Sequence, residues 1–280
     1  MSSRPREGSR PFPNVELLPD RVRKRRPAAM IAVEAEKTAR AAAIASETKL
    51  FRVPEVLAAD AELGVLDTER IPDLIPVREF LLRERDADAL MRTIGLALAA
   101  IHERLVLPEA MRVPLPQPFA APELGPEDVV VHGDFNTLNL FVRRSTGELV
   151  ITDWEVSFRT HRLANPALHE VATMGPRYYD VGWFVVSLFL RTWFGLGRIF
   201  DAPGRAEQFL GSYFSAAGPD VRPQRFPAYL DTLAAARREI ERKLDPPAPR
   251  LRQPRTPAPW YRSVHALAAS LAARYGSRSP

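Results

Sequence analysis

Asp134, Asn139 and Asp153 are the residues whose types and spacing best suit chemistry. Val129-Val130-Val131 lead into the polar run His132-Gly133-Asp134-Phe135-Asn136-Thr137-Leu138-Asn139. After it come a short apolar segment, a Ser145-Thr146-Gly147 turn and a second apolar segment, Leu149-Val150-Ile151, ending at Thr152-Asp153-Trp154-Glu155. Apolar runs on either side of a glycine-containing turn read as a hairpin. It carries Asn139 at its start and Asp153 at its end, beside the loop that bears Asp134. Two carboxylates and an amide are all oxygen donors, a set that suits a hard cation such as Mg²⁺ with phosphate oxygens attached. Asp134 stands five residues before Asn139. In that arrangement one acid accepts a hydroxyl proton while the amide and the second acid hold metal. Isolated Asp and Asn residues mostly make turns and caps; here residue type, spacing and strand context coincide.

His-Gly-Asp-x-x-x-x-Asn, an apolar strand and Asp-Trp-Glu together resemble the aminoglycoside phosphotransferase/choline kinase branch of the protein-kinase-like fold. The resemblance implies an α+β, two-lobed fold, with a small, abbreviated amino-terminal sheet lobe and a mainly helical carboxy-terminal lobe. It implies transfer of the γ-phosphate of ATP, with Mg²⁺, to a hydroxyl. Asp134 is then the proton acceptor, and Asn139 and Asp153 are the metal ligands. Glu155 either reaches a second metal or is simply exposed, and His132 fixes loop geometry by hydrogen bonding without moving a proton. Lys24 falls where the family keeps its phosphate-contacting strand lysine. Its neighbours Arg21, Arg23, Arg25 and Arg26 fit a solvated basic strand edge equally well. Glu34 is the first choice for the partner of Lys24. Glu36 is the alternative, although its spacing to Arg40 fits a surface pair.

Two further segments carry the resemblance. Ile94-Gly95-Leu96-Ala97-Leu98-Ala99-Ala100-Ile101-His102 matches the family's Leu-Gly-x-x-Leu-Ala-x-Leu-His helix, with His102 read as a packing residue. Tyr179-Asp180-Val181-Gly182-Trp183 matches a helix start whose acid ties the helix to the catalytic loop. One departure stands out. No glycine occurs between Gly8 and Gly64, so the glycine-rich loop that lets backbone N–H groups approach phosphate is missing. Either that loop is abbreviated, or metal and Lys24 do most of the holding, or the small lobe has degenerated.

The elements that must position these groups follow from local pattern. Residues 1–13 read as a disordered tail, 14–70 as the nucleotide lobe and 71–280 as the catalytic and acceptor-binding lobe. Segments 14–18 and 21–26 form a hairpin across Pro19-Asp20, and the Ala-rich stretch from Ala28 to about Ser46 favours helix. Strands follow at 54–57 and 63–68, with Glu69-Arg70-Ile71-Pro72 as the interlobe connection. Residues 86–104 form an amphipathic helix with Asp86 or Asp88 as N-cap, and 108–126 a proline-rich connector. The 27 positions from Asp153 to Asp180 suggest an insertion at 158–176, with a Gly175-Pro176 turn, near the acceptor site. The apolar run from Val181 to Leu190 is too short to span a bilayer and reads as a buried helix. Helices at about 204–217, 226–243 and 260–275 complete the chain, with a proline-rich linker before the last.

Composition excludes other classes. The 280 residues contain no cysteine, so there is no disulfide framework and no thiolate ligand or nucleophile. No signal-peptide core precedes the first strand, and we expect a cytoplasmic location without membrane contact. A pI near 9.8 hints at nucleic acid, but no aromatic-and-basic recognition module accompanies it. Residues 1–155 hold 21 Arg and Lys against 25 Asp and Glu, or −4, whereas 156–280 hold 18 against 9, or +9. Polycationic acceptors need acidic pockets, so the expected acceptor is a neutral or anionic small molecule, or a peptide Ser/Thr. A catalytically weak, nucleotide-binding pseudo-kinase is the alternative the missing glycines raise.

Overall fold

The computed structural model describes residues 14–84, 87–120, 128–155, 171–190, 201–219, 221–244 and 259–276. The expected tail, Asp86, positions 158–170 of the expected insertion and most of the proline-rich linker lie outside them.

β1 (Val15–Leu17) and β2 (Arg21–Arg25) make the expected hairpin, closed without glycine by the Leu18 N–H bonding to Arg21 O at 2.9 Å. β2 pairs with β4 (Val65–Glu69) and β4 with β3 (Val56–Asp60), giving an antiparallel sheet in the order β1-β2-β4-β3. Side chains alternate across a strand. In β2 this turns Lys24 inward, where it is buried, and leaves Arg23 outward, paired with Asp67. Helix α1 (Ala28–Thr48) connects β2 to β3 and buries Ile31, Glu34, Lys37, Thr38, Ala41 and Ala45. It ends at Lys49 in the left-handed conformation, whose N–H caps Ala45 O.

The hairpin expected between Asn139 and Asp153 is β7 (Leu140–Arg143) with β8 (Leu149–Ile151), joined by a third strand, β5 (Leu74–Pro76), that the sequence pattern did not announce. Helix α2 (Val77–Arg83) follows β5 directly. Just beyond α1, Arg52 bonds to β8 in both directions: its N–H reaches Leu149 O at 2.8 Å, and the Ile151 N–H reaches Arg52 O at 2.9 Å. The amino-terminal elements are therefore stitched to the hairpin by backbone.

β6 (Asp128–Val130) leads into the loop bearing Asp134 and pairs antiparallel with β9 (Met174–Pro176). This corrects the expected Gly175-Pro176 turn. Gly175 lies in that strand under close packing, where a Cβ would sit 2.3 Å from Leu115 Cδ1 and oblige that side chain to shift. The end of the expected insertion is thus a strand beside β6.

The helices α3 (Asp88–Arg104), α4 (Tyr178–Phe189), α5 (Ala202–Ala216), α6 (Phe226–Leu244) and α7 (Pro259–Gly276) surround a core that includes Phe184, Val185, Phe209, Leu230 and Leu271. α3 starts at Ala87 as N-cap with no side-chain cap bond, so Asp88 lies in its first turn and does not cap it. Gly95 lets α3 lie directly on α5: a Cβ would come within 2.6 Å of Phe209 O. Among the described residues no helix is long and apolar enough to cross a membrane. The expected α+β architecture, a small antiparallel sheet followed by mainly helices, is the one observed.

Candidate active site

The loop that carries Asp134 is built around His132, every polar group of which is engaged. Its backbone N–H donates to Asp180 Oδ2 at 2.6 Å, and its carbonyl accepts from Lys37 Nζ at 2.7 Å. Its ring Nε2 lies 3.0 Å from Thr152 O, and the Asp134 N–H lies 3.3 Å from Nδ1. A carbonyl can only accept, so Nε2 carries the proton and Nδ1 is the acceptor. Burial holds the imidazole neutral, with its pKa drawn down to about 3. His132 is a bracket between the loop and Thr152, one residue before Asp153.

Gly133 turns the chain at φ +102, a conformation that suits glycine. Its N–H donates to Asp180 Oδ1 at 2.9 Å. Asp180, in the first turn of α4, thereby holds two consecutive loop amides. It also meets His102 Nε2 at 3.0 Å, while His102 Nδ1 meets the Tyr213 hydroxyl at 2.8 Å. Burial opposes the Asp180 charge, but His102 and the loop amides hold its carboxyl below the usual range. His102 thus packs, and α3, α4 and α5 converge on the loop through one carboxylate.

The loop delivers Asp134 half-buried. Asn136 Nδ2 donates to its Oδ1 at 2.9 Å, and Asn139 Nδ2 to its Oδ2 at 2.8 Å. Both amides also reach the Asp134 carbonyl, each at 3.0 Å. Burial pushes the Asp134 carboxyl up to about 6, the Asn139 bond opposing and the Asp153 charge adding to it. Such a value suits a base working near neutrality. The amide nitrogen of Asn139 faces Asp134, which assigns its carbonyl oxygen to the other side.

Asp153, just after β8, has φ +59, in the left-handed region that Asp tolerates better than most residues. The Lys24 ammonium bonds to both Asp153 Oδ1 and Glu34 Oε1. Burial alone would neutralise these groups. Instead the two carboxylates hold the Lys24 pKa above its ordinary value, and Lys24 holds Asp153 below its own. Glu36 pairs with Arg40 at 2.6 Å on the surface. Glu155 is half-buried, with Arg26 Nε 3.4 Å from its Oε1. Burial, and then the nearby Glu34 charge, raise its pKa. Glu34 Oε2 and Glu155 Oε2 are both buried without a hydrogen-bond partner.

Oxygen donors from Asn139 and Asp153 fit Mg²⁺. Among the described residues no group of three or more His, Cys, Asp or Glu could hold a metal ion. A cation here would therefore complete its shell with water or phosphate, as Mg²⁺ habitually does.

No family model matches the chain, and no curated protein matches it. Solved structures do. A choline/ethanolamine kinase family protein from Mesorhizobium loti superposes with a TM-score of 0.50 at 20% identity, over 95% of this chain and 85% of that one. A glucosamine kinase gives 0.50 at 14% identity, over 92% and 76%. An amicoumacin kinase gives 0.50 at 11% identity, over 93% and 82%. The chain has the choline kinase/aminoglycoside phosphotransferase-like kinase fold. At these identities the likeness is one of fold, and the site rests on its own geometry.

Within the kinase-like fold, all five residues singled out from sequence fall into two adjoining groups. Lys24, Glu34 and Asp153 form one, and Asp134 with Asn139 the other. Sequence reasoning passed over Lys37, Asn136 and Thr152. Asn136 was findable, because its spacing to the Leu138 N–H, bonded at 2.8 Å, is that of an Asx turn. Lys37 lies one turn after Glu34 on the same buried face, but a lysine normally reads as solvent-facing. Nothing local marks Thr152, whose hydroxyl and N–H both bond to Asn139 O at 3.1 Å.

Proposed function

We propose that the chain is an ATP-dependent phosphotransferase that moves the γ-phosphate onto a hydroxyl of a small molecule. The observation that carries this reading is the pairing of the two groups. A buried lysine bridges two carboxylates, and beside them stands a carboxyl with its pKa pushed up to about 6. The carboxyl is held by the Asn136 and Asn139 amides at 2.9 and 2.8 Å, and a raised pKa beside a charged cluster is a recognised mark of functional sites.

Asn139 and Asp153 would hold Mg²⁺, which supplies charge neutralisation at phosphate oxygens. Lys24, fixed by Glu34, supplies a positive charge on the phosphate side. Asp134 accepts the hydroxyl proton at a carboxylate oxygen. Asn136 and Asn139 hold that carboxylate in one orientation, and His132 and Asp180 hold the loop. Asp134 acts only when ionised, and its pKa near 6 keeps it mostly so at neutral pH. The kinase structures of the same fold support the nucleotide assignment: the glucosamine kinase is in complex with glucosamine, ADP and inorganic phosphate, and the amicoumacin kinase with AMP-PNP and Ca²⁺.

For the acceptor, we propose a neutral or anionic compound. The half that follows Glu155 carries +9. Locally, the Arg237 guanidinium lies over the Trp183 ring at 5.3 Å, and its charge acts to lower the pKa of Asp134. A positive field at the base disfavours a polycation. Peptide Ser or Thr belongs to the same reading as a second acceptor class.

The test is ATP consumption, with product mass, across neutral sugars, amino sugars, carboxylated alcohols and Ser/Thr peptides. Phosphorylation of one class, abolished by removing Mg²⁺, supports the reading. Magnesium-dependent nucleotide binding with no transfer to any class would shift the assignment to a pseudo-kinase.

A further inference from the structure

We propose that Lys37 is a positioning residue for phosphotransfer: it ties the helix that holds Glu34 to the loop that holds Asp134. The proposal rests on the phosphotransfer reading above.

Four partners fix His132. Asp134 and Thr152 lie in the loop and at the end of its hairpin, and Asp180 in α4. Lys37 alone comes from α1, reaching 95 positions along the chain to the His132 carbonyl at 2.7 Å. The same helix face carries Glu34, one turn earlier, bonded to Lys24. A continuous route of direct bonds therefore runs Asp153–Lys24–Glu34, along one turn of α1, then Lys37–His132, and ends one peptide before Gly133-Asp134. Any shift of α1 that displaces Glu34 from Lys24 also pulls on the carbonyl that precedes the base.

The lysine is costly where it stands, which argues for a task. Its side chain is fully buried, at 0% exposure, and a charge in that position is unfavourable unless hydrogen-bonded. Burial draws its pKa down to about 8, with the charges of Asp180, Glu34 and Glu155 pulling the other way, so the group is charged at neutral pH. A charge-assisted bond to a carbonyl is roughly twice as strong as a neutral one. Methionine would fill the same volume without the donor. It would leave the His132 carbonyl as the loosened point of the bracket.

Lys37→Met provides the test, with Lys37→Gln as a polar companion that keeps the site hydrated-group friendly but falls short of the carbonyl. Thr38→Val is the control, since that hydroxyl bonds only within α1, to Glu34 O. Three quantities are read in the full chain: Mg-ADP affinity by calorimetry, kcat on the class that the acceptor panel shows to be phosphorylated, and deuterium uptake of residues 131–140. We expect both Lys37 variants to bind Mg-ADP within about threefold of the parent. Their kcat should fall about 10–100-fold and uptake in 131–140 should rise, with Thr38→Val unchanged. A residue that only stabilises the fold would lower thermal stability and leave this split between kcat and affinity absent. Unchanged kcat and unchanged uptake in a folded Lys37 variant overturn the proposal. If Lys37→Met does not fold, Lys37→Gln decides on the same criteria. A parent that neither binds Mg-ADP nor transfers phosphate fails the phosphotransfer reading itself, and a parent that does both isolates any failure to Lys37.

Discussion

Removing the Asp134 carboxylate should separate chemistry from nucleotide binding, but only with the right substitution. Asn139 Nδ2 donates to both Asp134 Oδ2, at 2.8 Å, and the Asp134 carbonyl, at 3.0 Å. Asp134→Ala deletes the first bond and keeps the second, so Asn139 stays oriented. Asp134→Asn is less clean. Its new NH₂ must face the NH₂ of either Asn136 or Asn139, and an opposed buried donor costs about 1–3 kcal/mol. Relief by flipping Asn139 would turn its oxygen away from the metal side. We therefore expect Asp134→Ala to lose roughly 10²–10⁴ in kcat, the range for a positioned base, with Mg-nucleotide affinity within a few-fold. Asp134→Asn should lose as much and weaken nucleotide binding as well. Stability provides an independent reading. The carboxyl rises from 3.8 unfolded to about 6 folded, so above pH 6 the folded parent holds an ionised group it disfavours. At about 1.4 kcal/mol per pH unit, and discounted for partial exposure, that is on the order of 1–2 kcal/mol. The stability of Asp134→Ala relative to the parent should thus be most favourable at pH 8 in metal-free buffer, whatever the lost Asn136 and Asn139 bonds cost. Relative to the parent it should decline as pH drops through 6 and level off below about 4. Denaturant melts across pH 4–8 and steady-state kinetics measure both. Turnover within a few-fold of the parent, or a stability relative to the parent that rises on acidification, would refute the reasoning.

Other outcomes follow from the same geometry. Asp180→Ala orphans the buried N–H groups of His132 and Gly133 and a His102 partner, and should cost about 3–5 kcal/mol by urea melt. Because the folded Asp180 pKa is depressed, this difference is fully present above the unfolded carboxylate value and shrinks as pH falls below about 4. Asn139→Ala should weaken Mg-nucleotide binding and also free the Asp134 carboxylate, visible as a displaced acidic limb in the kcat/KM profile. Aminoglycosides assayed with ATP should be poor substrates; kcat/KM above ~10⁴ M⁻¹s⁻¹ on a kanamycin-like compound would contradict the neutral-or-anionic acceptor.

Much of the site was legible because its signals are local. The spacing of Asp134 and Asn139 and the hairpin that returns Asp153 lie within one short stretch, where strand period and a glycine turn specify the geometry. Lys24 and Glu34 were findable as residues, but their meeting depends on strand alternation in β2 and on which face α1 buries. The features that escaped are long-range. β9 pairs with β6 across segments that no local pattern links, and Gly175-Pro176 resembles a turn until Leu115 is seen packed against it. β5 joins the β7–β8 hairpin through partners 65 to 69 positions away, with only Leu74 and Ile75 as apolar signal. Lys37 escaped because a fully buried lysine contradicts its residue type, and that conflict is what marks it for function.

The central claim is that Lys24, Asn139 and Asp153 bind a magnesium–nucleotide pair beside a catalytic base. Isothermal calorimetry of ATP into the parent and Asp153→Ala, each with Mg²⁺ and with EDTA, tests it most directly. The parent should bind at micromolar to sub-millimolar ATP in a Mg²⁺-dependent way, and Asp153→Ala should lose at least tenfold despite an unchanged fold. Equal ATP affinity in all four titrations, or none in the parent with Mg²⁺, would contradict it.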